Sequence, residues 1–554
     1  MNTIPRTSCS PSYALLLVAA LLFAAGALAD VPRPEHPRPD VQRDFWLNLN
    51  GEWQFEVDEK GDGETRGLVT GHDLARKIIV PFCPESQLSG LAMATNYMPH
   101  VWYRRSFQVP AAMRDTVPRR LTPSVAAGLS PDLATVVLGP RRVGKTVLLH
   151  QVVRRLLEGG VAPRSIVYLS ADDPLLGPTA TLFEELLAFV EERLLGGSGE
   201  VVYVLVDEVH VIADWPLWVK RSIDRGRPLV WLVTSSAGSM LHRGSRESLA
   251  GRARDVRLLP FSLAEAAALV RSPAAPLLER CAGVWESQGV GALVGERAAA
   301  LSRLNGEALG LGDELMRLSR WYLRSGGFPE ALAASGALSP REYFWQTLVE
   351  RVLYVDVPAV ARVRQAHVLR ELCLRLLSQG PALINIERLA SELGVTHVTV
   401  AEYLGIIERT MLDFILPRYA TTLAGRQRGG KKSVPVDTGL VVALSGWDLG
   451  GAQGAAFEGR LAEVVVHAWL RRCAAAGDVM HWRAREGVEV DFVFVPQGGP
   501  VLPIEVKWGQ SQRGRHRGLA EFQRRYGVAE SLMVVREGFD VAAAQASLPL
   551  WMLA

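Results

Sequence analysis

The sequence predicts a multidomain chain: an α/β core built on a parallel sheet, then a helical module and a second α/β domain, with a partial β-sandwich in front. Three observations predict this. The 554 residues, at roughly 100 to 200 per domain, amount to about three to five domains. From Leu133 onward apolar runs alternate with helical patterns, as strands of a parallel sheet alternate with their crossover helices. Before Pro110 the chain is instead rich in Pro and Trp, and short alternating pieces at 52–57 and 102–107 read as strands.

Composition narrows the class. Hydrophobic residues at 48% and charged residues at 21% are ordinary for folded globular proteins, which excludes a disordered, collagen-like or multi-span membrane chain. Lys plus Arg number 61 against 58 Asp plus Glu, so any basic patch is local. Cys9, Cys83, Cys281, Cys373 and Cys473 stand singly, without the spacing of a disulfide scaffold or a structural zinc site.

At the amino terminus Arg6 precedes the apolar run 13–28, and Ala27-Leu28-Ala29 offers a small-x-small cleavage pattern. Residues 1–29 read as a signal peptide, too short an apolar run to span a bilayer, which takes about 20 residues. Residues 30–112 follow. The segments PRPDVQRDFWLNLNGEWQFEVD and VPFCPESQLSGLAMATNYMPHVWYRRSFQVP resemble the start of the sugar-binding jelly-roll domain of glycoside hydrolase family 2. The resemblance runs from Pro37 to Pro110 and stops there, before the barrel that holds the family's two carboxylates. It implies a truncated sandwich that takes carbohydrate only if it folds, and no glycosidase activity.

After a linker, 113–132, comes the core, 133–335. The strand ATVVLG runs into Gly139-Pro140-Arg141-Arg142-Val143-Gly144-Lys145-Thr146, a GxxxxGK(S/T) loop followed by an amphipathic helix. In this setting the glycines turn backbone N–H groups toward phosphate at a helix amino terminus. Gly139, Arg142, Gly144, Lys145 and Thr146 are therefore candidate ATP-binding residues. Lys145 supplies a cation for the β- and γ-phosphates, and Thr146 a hydroxyl for Mg²⁺.

The nearly continuous apolar strand ending in Asp207-Glu208 is the second element. Asp207 joins Thr146 as the candidate Mg²⁺ shell, and Glu208 is the candidate base that orients and deprotonates water. A strand at 165–170 lies between the two motifs, an order that favours ATP hydrolysis over transfer to a substrate. A fourth strand ends at Thr234-Ser235-Ser236, where Ser236 is a candidate γ-phosphate sensor. Arg252 is a candidate arginine finger, acting within the chain or across a homo-oligomer interface.

GPRRVGKT, VLVDEVH, DWPLWVKRSIDRG, SSAGSML, LAGR with LLPFSLAEA, and YLRSGGFPEAL together resemble a widespread group of bacterial and archaeal AAA-like ATPases. Its members pair this core with a carboxy-terminal domain of unknown function. The resemblance runs from Leu121 to the end and departs from the pattern at Thr234 to Ala237, where such proteins show Gly after the Thr.

Residues 336–440 read as a helical and winged-helix module, strongly helical over 340–417. IERLASELGVTHVTVAEYLGIIERTM, 386–411, has the form of a helix-turn-helix, with Gly394 at the turn and His397, Thr399 and Glu402 facing outward. Two readings stay open, a winged helix on DNA and a module for protein contacts, because the second helix carries few cations. Arg426 to Lys432 reads as a basic wing or as a solvated hairpin turn.

In 441–554 a helix carrying Glu458 precedes two strands joined by a Gly/Pro turn. Asp491 lies mid-strand, and Glu505 and Lys507 share a strand face. This resembles the restriction-endonuclease-like core. The resemblance implies that Glu458, Asp491 and Glu505 hold Mg²⁺ while Lys507 steadies the nucleophile, or that the fold is kept for binding without cleavage.

The expected function is a Mg²⁺-dependent ATPase acting on DNA or regulated by it. The alternatives are a nucleotide-dependent switch that binds proteins, and a secreted carbohydrate-binding protein through 30–112. An ATPase belongs in the cytoplasm, whereas the signal peptide predicts export. Two joined reading frames, the second starting at Met113, would reconcile them.

Overall fold

The computed structural model describes residues 49–106 and 116–554, apart from 64, 69–72, 94–97, 174–181, 191–200, 213, 237–248, 291–294, 334–338, 361–362, 474–476, 485–486, 510–516 and 542–544. The signal-peptide reading, the first stretch of the sandwich and Met113 lie outside these residues. The chain divides into two compact units, 1–116 and 117–554.

In the first unit, β1 (Gly51–Val57) lies between β2 (Arg76–Val80) and β3 (Val101–Arg104), all antiparallel. Phe55 and Ile78 are fully buried. The buried Asp58 carboxylate accepts from Gly63 N at 2.8 Å and Trp102 Nε1 at 3.1 Å, which fixes the turn after β1. Among the described residues this is one three-stranded sheet, where the sequence suggested pieces of a two-sheet sandwich. The last strand ends at Arg104, short of Phe107.

The second unit begins with α1 (Thr122–Ala127), β4 (Ala134–Gly139) and α2 (Lys145–Glu158). It continues through β5 (Ile166–Ser170), β6 (Val202–Asp207), α3 (Trp215–Asp224), β7 (Leu229–Ser236) and β8 (Ala253–Arg257). The strands form one parallel sheet in the order β5-β6-β7-β4-β8. Every residue of β4 and β7 is buried, which is why both read as unbroken apolar runs. Because all five strands run the same way, Gly139, Asp207 and Ser236 finish at one edge of the sheet. Ligands of open α/β sheets bind at that edge.

Next come α4 (Gly312–Ser325) and then a helical module with two π-helical stretches, Tyr343–Val349 and Val352–Asp356, and α5 (Ala366–Gln379). Then come β9 (Ala382–Ile384), α6 (Ile386–Leu393), α7 (His397–Arg409), β10 (Asp413–Pro417), β11 (Lys431–Pro435) and α8 (Thr438–Ser445). Helices α6 and α7 meet at Gly394, and the Thr396 hydroxyl caps α7 by accepting from Thr399 N at 3.2 Å. His397 and Glu402 are exposed and Thr399 is half-buried.

Strands β9, β10 and β11 form an antiparallel sheet, and the first two fall inside 340–417, a stretch expected to be helical. The reason is plain in β10: DFILP is a short apolar run whose periodicity cannot tell strand from helix. The basic stretch 426–432 likewise ends in β11, with Lys432 buried rather than in a solvated turn.

The carboxy-terminal part comprises α9 (Gly454–Cys473), β12 (Gly477–Arg483), β13 (Glu489–Pro496), β14 (Leu502–Lys507), α10 (Arg517–Tyr526), β15 (Ser531–Val535) and β16 (Gln545–Pro549). Its mixed sheet runs β12-β13-β14-β15-β16, antiparallel up to β14 and parallel after it. The chain end is anchored where Trp285 Nε1 donates to Met552 O at 2.6 Å and Trp285 packs edge-on against Trp469 of α9. Among the described residues no helix is long and apolar enough to cross a membrane.

Candidate functional site

Strand β4 delivers the GxxxxGKT loop to the edge of the sheet. Gly139 is tightly placed: a Cβ there would come within 2.5 Å of Leu258 O. Gly144, with φ +92°, is the residue at which the loop turns into α2, and no side chain caps that helix start. The first N–H groups of a 14-residue helix therefore face the loop without a side-chain acceptor. Arg119, buried beneath, steadies the loop by donating to Val143 O at 3.0 Å and Leu259 O at 2.6 Å.

Lys145 is buried and curls into its own loop. Its Nζ lies 3.4 Å from Gly139 O, 3.3 Å from Pro140 O and 3.5 Å from Glu208 Oε1. Beside it the Thr146 hydroxyl donates to Asp207 Oδ2 at 2.6 Å. The other Asp207 oxygen accepts from Thr234 Oγ1, which itself accepts from Glu208 N at 3.0 Å. Ser236 N donates to Glu208 Oε2 at 3.1 Å.

Glu208 sits in the left-handed region at φ +48°, unusual for a residue other than glycine, where the backbone turns sharply out of β6. Burial pushes its carboxyl up, but His210, Lys145 and Arg141 outweigh this and hold it at about 2. The group is thus a carboxylate throughout the neutral range.

Lys145, Thr146, Asp207, Glu208 and the Ser236 backbone meet in one place, with Gly139 and Gly144 shaping the loop. Arg142 sits in that loop, but its guanidinium pairs with Glu330. Arg252 is elsewhere. Its carbonyl accepts from Ala134 N at 2.9 Å at the start of β4, and its guanidinium pairs with Asp224. Five strand steps of about 3.3 Å put that point about 16 Å from the loop end of the sheet. As a finger for its own chain's site, Arg252 is ruled out by this placement.

Three roles escaped the motif reading. Thr234, expected only as part of the strand end that carries the sensor, is the bridge between Asp207 and Glu208. Arg141 donates to Asp356 through Nε at 2.6 Å and Nη2 at 2.5 Å, joining the loop to a π-helical turn of the helical module. Glu330, the partner of Arg142, also accepts from Tyr343 Oη at 3.2 Å.

The carboxy-terminal acids assemble differently from expectation. Glu458 is buried and occupied, accepting from Trp508 Nε1 at 3.0 Å and Arg324 Nη2 at 3.2 Å. The helix acid that approaches Asp491 is instead Glu463. Lys432 of β11 bridges the two, its Nζ 2.7 Å from Glu463 Oε2 and 3.3 Å from Asp491 Oδ1. The remaining Asp491 oxygen accepts from Val506 N at 2.9 Å, and Lys507 pairs with Glu505 at 2.6 Å.

Burial and Asp491 push both Glu463 and Glu505 up to about 7, against the pull of their lysines. Among the described residues no three His, Cys, Asp or Glu side chains are arranged to hold a metal. An Mg²⁺ set of Glu458, Asp491 and Glu505 does not fit, because Glu458 is held by Trp508 and Arg324 while Asp491 and Glu505 each pair with a lysine, Lys432 and Lys507. A lone acid inside the apolar run LAEVVVHAWL was the available signal for Glu463.

The same core is found by comparison with known families. Residues 132–267 match the AAA domain. Residues 316–449 and 458–553 match two domains of unknown function (DUF8612 and DUF4143). The chain is 24% identical over 370 residues to an uncharacterized protein of Haemophilus influenzae, covering 65% of this chain and 79% of that one. It is 20% identical over 394 residues to an uncharacterized protein of Methanocaldococcus jannaschii, covering 70% and 78%. A segment that matches the AAA domain is thus followed by segments that match domains of unknown function, in a chain similar to bacterial and archaeal proteins.

Solved structures similar to it include the Aeropyrum pernix ORC1 protein in complex with DNA, at 15% identity and TM-score 0.26 over 61% of this chain and 95% of that one. Another is the S. cerevisiae Hsp104-ADP complex, at 14% identity and TM-score 0.25 over 54% and 40%. Likeness at these scores carries no residue role to this chain.

Proposed function

We propose that this chain binds ATP at the loop between β4 and α2 and hydrolyses it, with Glu208 as the base. One observation carries the reading. Lys145, Thr146, Asp207 and Glu208, from two motifs far apart in sequence, converge through contacts of 2.6 to 3.5 Å at the carboxyl edge of a parallel sheet.

In this reading the uncapped N–H groups of α2 receive the phosphates, and Lys145 leaves the loop carbonyls for the β- and γ-phosphate oxygens. Thr146 and Asp207 would hold Mg²⁺, which takes up charge on the β- and γ-oxygens when bound. The departure of Lys145 removes a cation from Glu208 and makes its carboxylate a better proton acceptor. Ser236 N and the strained Glu208 backbone keep that carboxylate aimed, while Thr234 locks Asp207 to the same turn.

A nucleotide-dependent switch is a second reading, favoured by the pairs Arg141–Asp356 and Arg142–Glu330. Phosphate entering the loop competes for both arginines, so the helical module would sense occupancy through Asp356. We assign 133–335 to the ATPase, 336–440 to the helix-turn-helix module and 441–554 to the terminal domain. The full-length protein should bind a fluorescent ATP analogue, and Lys145→Ala should lose that binding. Equal binding by the variant would remove the assignment.

A further inference from the structure

A cleft of about 750 Å³ lies along β8 on the far side of β4 from the rest of the sheet. Arg254 to Arg257, four consecutive residues of β8, line it. Successive strand side chains point to opposite faces, so a cleft touching all four faces the edge of the strand, and Arg254 and Arg257 flank it from either side. The opposite wall brings Arg471 and Arg472 from the end of α9, with Asp478 from β12.

None of these four guanidiniums lies within 4 Å of a carboxylate among the described residues. Arg254 Nη2 donates to Thr135 Oγ1 at 3.3 Å, while its Nε is buried without a hydrogen-bond partner. Arg471 Nε donates to His467 Nε2 at 3.1 Å, and its guanidinium stacks on Phe414 with 5.1 Å to the ring centre. Arg472 Nη2 donates to Pro260 O at 2.7 Å and Phe261 O at 3.2 Å. Arg257 is exposed and makes no hydrogen bond or ion pair among the described residues. Of the two acids in the wall, Asp478 lies 3.8 Å from Arg426, outside the arginine set.

Arg119, Arg120, Arg141 and Arg375, by contrast, pair with Glu265, Glu286, Asp356 and Glu392. Burial, with a smaller push from Arg257, takes Arg471 down to about 10 against the pull of Glu408 and Asp478.

We propose that this cleft is an anion site for phosphate esters, separate from the nucleotide loop, and that its occupant carries at least two phosphates. Arg254 and Arg257 stand three strand steps apart, about 10 Å along β8. That span exceeds one carboxylate or one phosphate and suits successive phosphates of an oligonucleotide or of a free polyphosphate. Guanidinium forks match phosphate oxygens in pairs, and a drug-sized cleft of several hundred Å³ admits one or two nucleotides. Strand β8 pairs directly with β4, which ends in the nucleotide loop, so the two sites share one rigid strand pair.

The test measures anisotropy of a short labelled oligothymidylate on the full-length protein, with and without saturating ADP, at low and moderate salt. Pyrophosphate and polyglutamate serve as competitors. The wild-type protein should bind, and Arg257→Glu should weaken binding about tenfold, the loss of one phosphate contact. Arg257→Lys should retain part of the affinity, and ADP binding should be unchanged in both variants. Displacement by pyrophosphate identifies a small polyphosphate as ligand; binding that pyrophosphate fails to displace identifies the polymer backbone. Both support the site. No binding by wild type, equal affinity in Arg257→Glu with an unchanged melting temperature, or displacement by polyglutamate at lower concentration than pyrophosphate overturns it. Because Arg257 lies outside the nucleotide loop and the signal is read without ADP, failure of ATP binding at Lys145 is seen separately.

Discussion

The Thr146 hydroxyl donates to Asp207 Oδ2 across 2.6 Å, and this contact ties together two motifs that lie 61 residues apart in the chain. It exists because β4 and β6 run parallel, with β7 between them, so both end at the same edge.

That contact should be where magnesium acts. Thr146→Ala is expected to lower ATP affinity in magnesium about tenfold, equivalent to about 1.4 kcal/mol and typical of one hydrogen bond to a charged group. In EDTA the variant and the parent should bind alike. A titration with a fluorescent analogue under both conditions reads this directly, and an equal loss in EDTA would make Thr146 a part of the fold instead.

The pair Arg141–Asp356 links the nucleotide loop to the helical module, with Asp356 buried and Arg141 partly exposed. In a double-mutant cycle of Arg141→Gln and Asp356→Asn the unfolding free energies should show coupling of about 1–3 kcal/mol. Saturating ATP should shrink that coupling, because phosphate draws Arg141 away. Coupling insensitive to nucleotide would mean the pair is only a structural tie.

Buried Lys432 compensates two partly exposed acids, and its ammonium is held on by Glu463 and Asp491 despite burial. Lys432→Met should destabilise the protein by about 3–5 kcal/mol, since one partner of a buried ionic group is removed. Adding Glu463→Gln should recover part of the loss. Chemical denaturation of the three variants tests this, and a Lys432→Met midpoint equal to wild type would contradict it.

Asp413, fully buried in β10, accepts from Ser433 Oγ at 2.8 Å, while its Oδ1 has no hydrogen-bond partner among the described residues. Burial pushes its carboxyl up to about 8, against hydrogen bonds from Ser433 and Val434. The folded state therefore keeps a proton that the unfolded chain releases near pH 3.9. Its stabilisation is full below that pH and is lost as pH rises through about 8, at up to about 1.4 kcal/mol per unit. Asp413→Asn cannot ionise, so its stability relative to wild type should climb from pH 5 to 8 and level off above. A flat difference across that range would show that Asp413 is ionised in the fold.

The central sheet was legible in the sequence because β4, β6 and β7 are buried on both faces and end in residues that mark the site. Lys145, Thr146, Asp207 and Glu208 were found for that reason: a loop, a strand end and a spacing carry them. Arg252 misled as a finger for its own chain's site, because an Arg beside a Gly says nothing about which end of a strand it occupies. Glu458 misled similarly, since helix phase and a partner as remote as Arg324 decide whether an acid faces the sheet. Lys432, Asp356 and Glu330 were invisible to motif reading: each acts on a residue more than thirty positions away, through contacts set only by the packing of separate elements.

Glu208 is the residue on which the account turns, and the direct measurement is single-turnover ATP hydrolysis by Glu208→Gln beside equilibrium nucleotide binding by the same protein. Binding should stay within about threefold of wild type while hydrolysis falls by about 10² to 10⁴, the contribution expected of a positioned base. Hydrolysis that persists near the wild-type rate, or a loss of binding as large as the loss of turnover, would contradict it.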